Sequence, residues 1–459
     1  MPNRVVLRTL MSKEAAYCLG WAALQQMVVA ASTYFIIEAI QLVTEGALAV
    51  AMKYVLAFVA SLILVFVPNT ISLVYLQKWR LRSFARFVEE FVRANGGLTT
   101  WAHGRDKARF ESWLTNESTL VYGNATDIIY QAYSILLSSL LNVLVISIAI
   151  DRRIMAWYLA AAAVLFVSNL LFQKSIARVS LSAQNTRKDL ANVMLSAWEN
   201  IFTGNKYCLG HWQARFGARL AETSKAAVVY DRTRSVISSV TVSVALLVIG
   251  AGNGIFLYEN QNEPPLIAAL LITLPRQLQI VQNIFAFFNT YLSWIGVASQ
   301  LNELGRVIEI GQSPKDLSAF VQLEHIVVSS GTDQRKFASI PEVFAHISAH
   351  EYGRLTLRGK NGSGKSTLLS LLAEKTGESS FFLPSNFTDL AFADENLLNN
   401  SDGNRILAVF RELRDLHDVK YVLLDEWDAN LDGANLQLVD AAISELAKSK
   451  IVVESRHRG

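Results

Sequence analysis

Gly359-Lys360-Asn361-Gly362-Ser363-Gly364-Lys365-Ser366-Thr367 fits the pattern G-x-x-x-x-G-K-[ST] without a gap. The chemistry of such a run is phosphate binding. Its glycines let backbone N–H groups curl around phosphate oxygens, and the helix that follows adds the positive end of its dipole. Lys365 is placed to reach the β- and γ-phosphates of a nucleoside triphosphate, and Ser366 to set its hydroxyl on Mg²⁺. The flanks agree: Arg354-Leu355-Thr356-Leu357-Arg358 reads as a strand, and Leu368-Leu369-Ser370-Leu371-Leu372 as a helix. Downstream, Lys420-Tyr421-Val422-Leu423-Leu424-Asp425-Glu426 ends an apolar run in two carboxylates. A run of this kind is a buried parallel strand whose C-terminal end opens on a ligand crevice. Asp425 is the expected Mg²⁺ ligand, and Glu426 the general base that polarises an attacking water. The competing reading, a core strand that runs into a solvated acidic turn, is weakened by the phosphate loop upstream.

Asp425-Glu426-Trp427-Asp428-Ala429-Asn430-Leu431-Asp432 resembles, residue for residue in register, the D-E-P-T-S-A-L-D run of the ATP-binding cassette (ABC) transporters. The resemblance implies that the segment ending at Asp432 is the D-loop, which couples the two ATP sites of a dimer. It also makes His457, in Ile451-Val452-Val453-Glu454-Ser455-Arg456-His457-Arg458, the switch histidine that contacts the γ-phosphate and the water. Asn400-Ser401-Asp402-Gly403-Asn404-Arg405 stands where the family carries L-S-G-G-Q. Ser401, Gly403 and Asn404 keep the serine, the second glycine and an amide, so the resemblance assigns them to the γ-phosphate across the dimer interface. Asp402 replaces the first glycine and must point away from phosphate. The simpler alternative is a polar turn that opens a helix from Ile406 to Leu416. Phe381-Phe382-Leu383-Pro384-Ser385-Asn386 matches the strand before the family's Q-loop, but Ser385 replaces the glutamine and Asn386 offers a shorter amide. No aromatic that would stack on adenine is evident in or just after the strand expected over Val321–Val328. The helical subdomain before the signature is nearly absent, so this short domain is expected to need a second copy for stability.

These parts must be positioned by a membrane domain. Charged residues make up 18% of the chain and hydrophobic residues 52%, and the apolar residues concentrate before about residue 300. Six spans are predicted: Ala15–Val43, Ala47–Leu76, Ile128–Ile150, Met155–Phe172, Val236–Leu257 and Leu266–Ile295. Each meets the ~20 apolar residues that a ~30 Å bilayer core requires, or nearly so. Basic residues crowd the stretches before the first span, between the second and third, and between the fourth and fifth. The connections on the other side are short, and the positive-inside rule sets both termini and the ATP domain in the cytoplasm. Asp151-Arg152-Arg153 breaks the rule. Leu114-Thr115-Asn116-Glu117 and Trp198–Gly204 are similar to the segments at the coupling helices of exporter-type ABC proteins, and Leu301–Val307 to the end of their sixth helix.

Arg276, Gln279, Asn283 and Thr290 recur at helical spacing in the sixth span, with Gln25, Gln26, Glu38 and Lys53 in others. Charge in hydrocarbon is costly and faces a bundle interior or a water-filled cavity. Arg276, Gln279 and Asn283 are therefore the candidate cargo cavity; interhelical hydrogen bonding is the plainer alternative. Cys18 and Cys208 suggest neither a disulfide framework nor a metal site. The net charge of +3 follows from the inner-loop bias, so no nucleic-acid partner is expected.

The expectation is a six-helix all-α ABC exporter domain over residues 1–310, a linker over 311–320 and a compact α/β P-loop domain over 321–459. The function implied is an ATPase-driven, Mg²⁺-dependent exporter in the bacterial inner membrane. It would work as a homodimer among membrane lipids, with peptide or peptide-like cargo. The alternatives are a weakly hydrolysing or regulatory paralogue, possibly in a heterodimer, and an importer on the same fold.

Overall fold

A computed structural model of the chain describes residues 4–96, 117–309, 317–385, 390–392, 402–429, 431 and 433–456. Asn386, Ser401, Asp432, His457, the 311–316 part of the linker and Leu114-Thr115-Asn116 lie outside these residues. The chain divides into two compact units. One comprises Met1–Phe87 with Thr115–Gly305; the other comprises Val88–Leu114 with Arg306–Gly459.

The first unit is helical. Its helices are α1 (Arg4–Leu10), α2 (Lys13–Thr44), α3 (Leu48–Leu64), α4 (Phe66–Asn95), α5 (Ser118–Ala149), α6 (Arg153–Leu195), α7 (Ala197–Phe202), α8 (Lys206–Glu259) and α9 (Pro264–Glu309). The last turns of α4 and α9 belong to the second unit. Five helical stretches are long and apolar enough to cross a membrane, with α3 and α4 together forming one of them. A sixth, α6, qualifies as a pair bent by 43° between Ser168 and Leu170. The six predicted spans fall one in each, and the helices run well past most of them. Ser12 starts α2 because its hydroxyl accepts from Ala15 N at 3.2 Å, and Asn205 caps α8 through Tyr207 N and Cys208 N.

Besides an apolar cluster that includes Ile37, Ile146, Leu165 and Ile280, polar pairs and a close approach at a small residue join these helices. Thr33 Oγ1 donates to Asn142 Oδ1 at 2.8 Å between α2 and α5, and Asn253 Nδ2 donates to Gln277 Oε1 at 2.7 Å between α8 and α9. Gly252 lets α8 approach α6, because a Cβ there would lie 2.4 Å from the Trp157 ring. Arg153, one of the two arginines in the turn that breaks the charge rule, is paired with Asp151 at 2.9 Å and Glu259 at 2.5 Å. Its charge is thus balanced locally by two carboxylates.

The second unit holds a six-stranded sheet: β1 (Ile326–Ser330), β2 (Asp333–Arg335), β3 (Gly353–Gly359), β4 (Ser380–Leu383), β5 (Tyr421–Leu424) and β6 (Ile451–Ser455). The order is β2-β1-β3-β6-β5-β4. β3, β6, β5 and β4 run parallel, whereas β1 is antiparallel to β2 and β3. Helices α10 (Ile340–Ser348), α11 (Lys365–Thr376), α12 (Asp402–Asp415) and α13 (Gly433–Leu446) complete it. Alternation along β5 explains the two layers. Tyr421 and Leu423 join Leu368, Leu369 and Leu372 of α11 on one face. Val422 and Leu424 join Val409 and Phe410 of α12 and Val439 and Ile443 of α13 on the other. Each such side chain contributes ~1.5–3 kcal/mol on burial. The strand predicted over Val321–Val328 instead begins at Ile326, because Leu323–His325 turns as a 3₁₀-helix.

Candidate nucleotide site

β3 ends at Gly359 and α11 begins at Lys365, so the glycine-rich run spans a strand-to-helix turn as its pattern requires. Gly362 and Gly364 take φ values of +82° and +89°, in the left-handed region that a side chain disfavours. At Gly364 there is a second constraint: a Cβ would lie 2.5 Å from Phe320 O and 2.8 Å from Val321 Cα. Residues Leu317–His325 therefore lie directly against the loop, and Gln322 N donates to Ser363 O at 3.0 Å. Phe320 stands one residue before the stretch expected to hold an aromatic, and its side chain is exposed.

Lys365 is buried, and its Nζ donates to Gly359 O at 3.0 Å and Lys360 O at 3.5 Å. The cation is thus held over the loop's own carbonyls. Ser363 Oγ is buried without a hydrogen-bond partner among the described residues, an orphan that a phosphate oxygen would satisfy.

Across the loop mouth, Ser366 Oγ donates to Asp425 Oδ1 at 2.8 Å. Asp425 is buried at the C-terminal end of β5 and tied to β4 by its N–H, which donates to Leu383 O at 2.9 Å. A hydroxyl and a carboxylate oxygen in contact are the hard donors that Mg²⁺ prefers. Ser455, at the end of β6, donates from Oγ to the same Asp425 Oδ1 at 2.7 Å. Its Oγ and O also accept from Glu426 N, each at 3.1 Å. Glu426 adopts φ +44°, the one non-glycine residue at positive φ among those described. Such a conformation costs ~1–3 kcal/mol and persists only where the surroundings enforce it.

Beneath Glu426, Trp427 is buried and its Nε1 donates to Glu454 Oε2 at 2.9 Å. Glu454 is 0% exposed on β6. Arg354 of β3 binds both its oxygens, through Nε at 3.0 Å and Nη2 at 2.9 Å. Thr356 Oγ1 and Arg456 Nε add bonds of 2.8 and 3.1 Å. Asp440 of α13 accepts from both arginines, at 2.8 and 2.5 Å. Burial alone would raise the Asp440 pKa, but the two guanidiniums outweigh it and hold the carboxyl below its ordinary value. Burial likewise opposes charge on Arg354, and Glu454 and Asp440 reverse the shift upward.

Sequence reasoning missed this network and Ser455. A glutamate inside an otherwise apolar strand was the available signal, and its main partner lies a hundred positions earlier. Gly403 and Asn404 occupy the first turn of α12, which begins at Asp402, earlier than the Ile406 expected.

In the helical unit, Arg276, Gln279 and Asn283 line one cavity of about 400 Å³ between α2, α3, α5 and α9. Polar groups that sequence reading missed join them: Ser32 on α2, Ser61 on α3, and Ser134 and Ser138 on α5. Gln25 and Gln26, singled out in the sequence, line it too. No protein-family model matches this chain, and no curated protein matches it.

Proposed function

We propose that the chain is an ATP-hydrolysing membrane translocase of the ABC exporter type, acting as a homodimer. The observation that carries this reading is the contact between Ser366 and Asp425 at the mouth of a loop built on two left-handed glycines. A structural turn has no need of such a cradle, a buried lysine and a seryl–aspartyl pair together. Backbone N–H groups of residues 362–367 bind the phosphates, and Lys365 turns from the loop carbonyls to the β- and γ-phosphates. Ser366 and Asp425 would hold Mg²⁺, which neutralises phosphate charge when bound.

Glu426 accepts the proton of a water whose oxygen attacks the γ-phosphorus, as the bond to the β–γ bridging oxygen breaks. Ser455 fixes the Glu426 backbone for this task. Ser401, Gly403 and Asn404 of a second copy complete the γ-phosphate shell, with His457 and Asp432 at the seam. Alternate binding and hydrolysis move the helical unit, whose six long apolar stretches are consistent with a multi-pass membrane protein. The cytoplasmic side of the bacterial inner membrane is the setting that this reading assigns to the nucleotide domain. Peptide-like cargo is the class that family resemblance favours.

Purified protein in lipid should hydrolyse ATP, and Glu426→Gln should lower turnover ~10²–10⁴-fold while nucleotide still binds. Lys365→Ala should abolish binding itself. Ser385, in place of the Q-loop glutamine, favours a second reading in which the cassette binds ATP as a regulatory signal. Tight ATP binding without turnover in the wild type would select it.

A further inference from the structure

The cavity in the helical unit has a chemistry that its setting does not require. Arg276 lies 12 residues into α9, ~18 Å along the helix and so deep in a membrane span. A charge there is paired with an opposite charge or a backbone carbonyl, or faces a cavity that a substrate or ion uses. Arg276 has no ion-pair partner among the described residues; its Nη1 donates to Gln279 Oε1 at 2.7 Å. Among the described residues, no acidic side chain lines the cavity. Its remaining polar lining is hydroxyl and amide groups, which can donate to an anion. One such donor is unspent: Ser134 Oγ is buried without a partner, as is Gln25 Oε1, which can accept from a protonated or N–H part of a ligand. A cavity of about 400 Å³ lies at the small end of the ~300–1,000 Å³ range of small-molecule sites.

We propose that this cavity binds a compact organic anion, with Arg276 pairing to its carboxylate or phosphate and the hydroxyl and amide groups taking its other polar atoms. The inference rests on the translocase reading only in calling that anion cargo. The same head group could be presented by a free solute, by the C-terminus of a short peptide or by an anionic lipid. The cavity is too small for a folded polypeptide.

The test uses the full chain in phosphatidylcholine nanodiscs. The probes are N-acetyl-Ala-Ala with a free carboxylate, its C-terminal amide, glycerol 3-phosphate and glycerol, read by titration of intrinsic tryptophan fluorescence. In parallel, nanodiscs doped with phosphatidylglycerol are analysed for lipid retained on the protein. The charged probes should bind about tenfold or more tightly than their neutral partners, the scale of a charge-assisted hydrogen bond. Arg276→Gln should erase that preference, Arg276→Lys should restore part of it, and binding of a fluorescent ATP analogue should stay unchanged in both. Retention of phosphatidylglycerol by wild type and not by Arg276→Gln, without solute binding, supports the site with a lipid as its occupant. Equal binding of charged and neutral probes, or an unaltered preference in Arg276→Gln, overturns the proposal. So does binding of neither solute nor lipid by a variant-competent, ATP-binding wild type. Failure of ATP binding with anion preference intact would remove the nucleotide reading and leave this one standing.

Discussion

Replacing Arg354 by methionine keeps most of the side-chain volume and deletes one charge, which isolates the role of the ion network behind the candidate nucleotide site. Glu454 receives five hydrogen bonds, two of them from Arg354. Breaking a buried pair by removing one partner costs ~3–5 kcal/mol, because the other charge stays buried. Here Arg456, Thr356 and Trp427 remain in place, so the lower end applies, ~3 kcal/mol. At 1.36 kcal/mol per tenfold, that is about two decades in the opening equilibrium of β3 and β6. Amide hydrogen exchange on the full-length protein reads this directly, since core strands exchange through large openings. Peptides covering residues 353–359 and 451–455 should exchange ~100-fold faster in Arg354→Met, while α2 and α5 stay as in wild type. Adding Glu454→Gln should recover much of the loss, because the neutral amide no longer needs a cation. A single variant within about fivefold of wild type, or a double variant no better protected than the single one, would refute the argument that Glu454 depends on Arg354.

Gly364→Ala and Gly362→Ala separate backbone strain from steric contact. Both residues have φ beyond +80°, but only at Gly364 would a Cβ meet another segment, at 2.5 Å from Phe320 O. Gly362→Ala should cost ~1–2 kcal/mol, whereas Gly364→Ala should also push Leu317–His325 off the loop and lose nucleotide binding in a fluorescent-ATP titration; equal effects would count against the packing role. His346 supplies a pH dependence. Desolvation first, then His350 and Arg335, lower its pKa below the ordinary 6.5. The unfolded chain therefore binds the proton more readily, so this contribution to stability is complete above pH 6.5 and is lost as pH falls toward the folded value. Melting curves from pH 7.5 to 5.5 should show a slope that His346→Gln reduces; an unchanged slope would assign it elsewhere.

Two of the parallel strands were legible because each is a short apolar run that leads into candidate site residues: Leu357 into the glycine loop, Leu424 into Asp425 and Glu426. The six long apolar helical stretches were legible because runs of that length and apolarity stand out, and no local competitor imitates them. What escaped reading depends on partners far away in sequence. Glu454 looks like a flaw in an apolar strand until β3 brings Arg354 beside it, two positions before its register mate Thr356. The start of β1 was misplaced because Val321 and Leu323 carry strand-like apolarity, yet they serve to pack the loop cover against the core. Arg276, Gln279 and Asn283 were visible as a helical stripe, but the serines of α3 and α5 that complete their cavity are ordinary membrane-helix residues taken singly.

The pairing of Glu426 and Ser455 bears most directly on whether the site evolved for chemistry. A core strand that merely ended in an acidic turn would relax Glu426 into an ordinary conformation, recovering ~1–3 kcal/mol. It does not; β6 supplies two acceptors to the Glu426 N–H, and the same Ser455 hydroxyl donates to Asp425. Below it, Trp427 is clamped by Glu454 and covered by Arg456 at 5.4 Å. Local rules are broken where function requires it and the surroundings compensate. The strained residue, the over-determined backbone and the charge network under it occur together where the ends of β5 and β6 meet the glycine-rich loop. An arrangement selected for stability alone has no need to set a strained Glu426 directly before Trp427, the residue that the Glu454 network clamps. Ser455→Ala should therefore lower ATP turnover more than it lowers the melting temperature, and a variant that melts early yet turns over normally would show that Ser455 serves the fold instead.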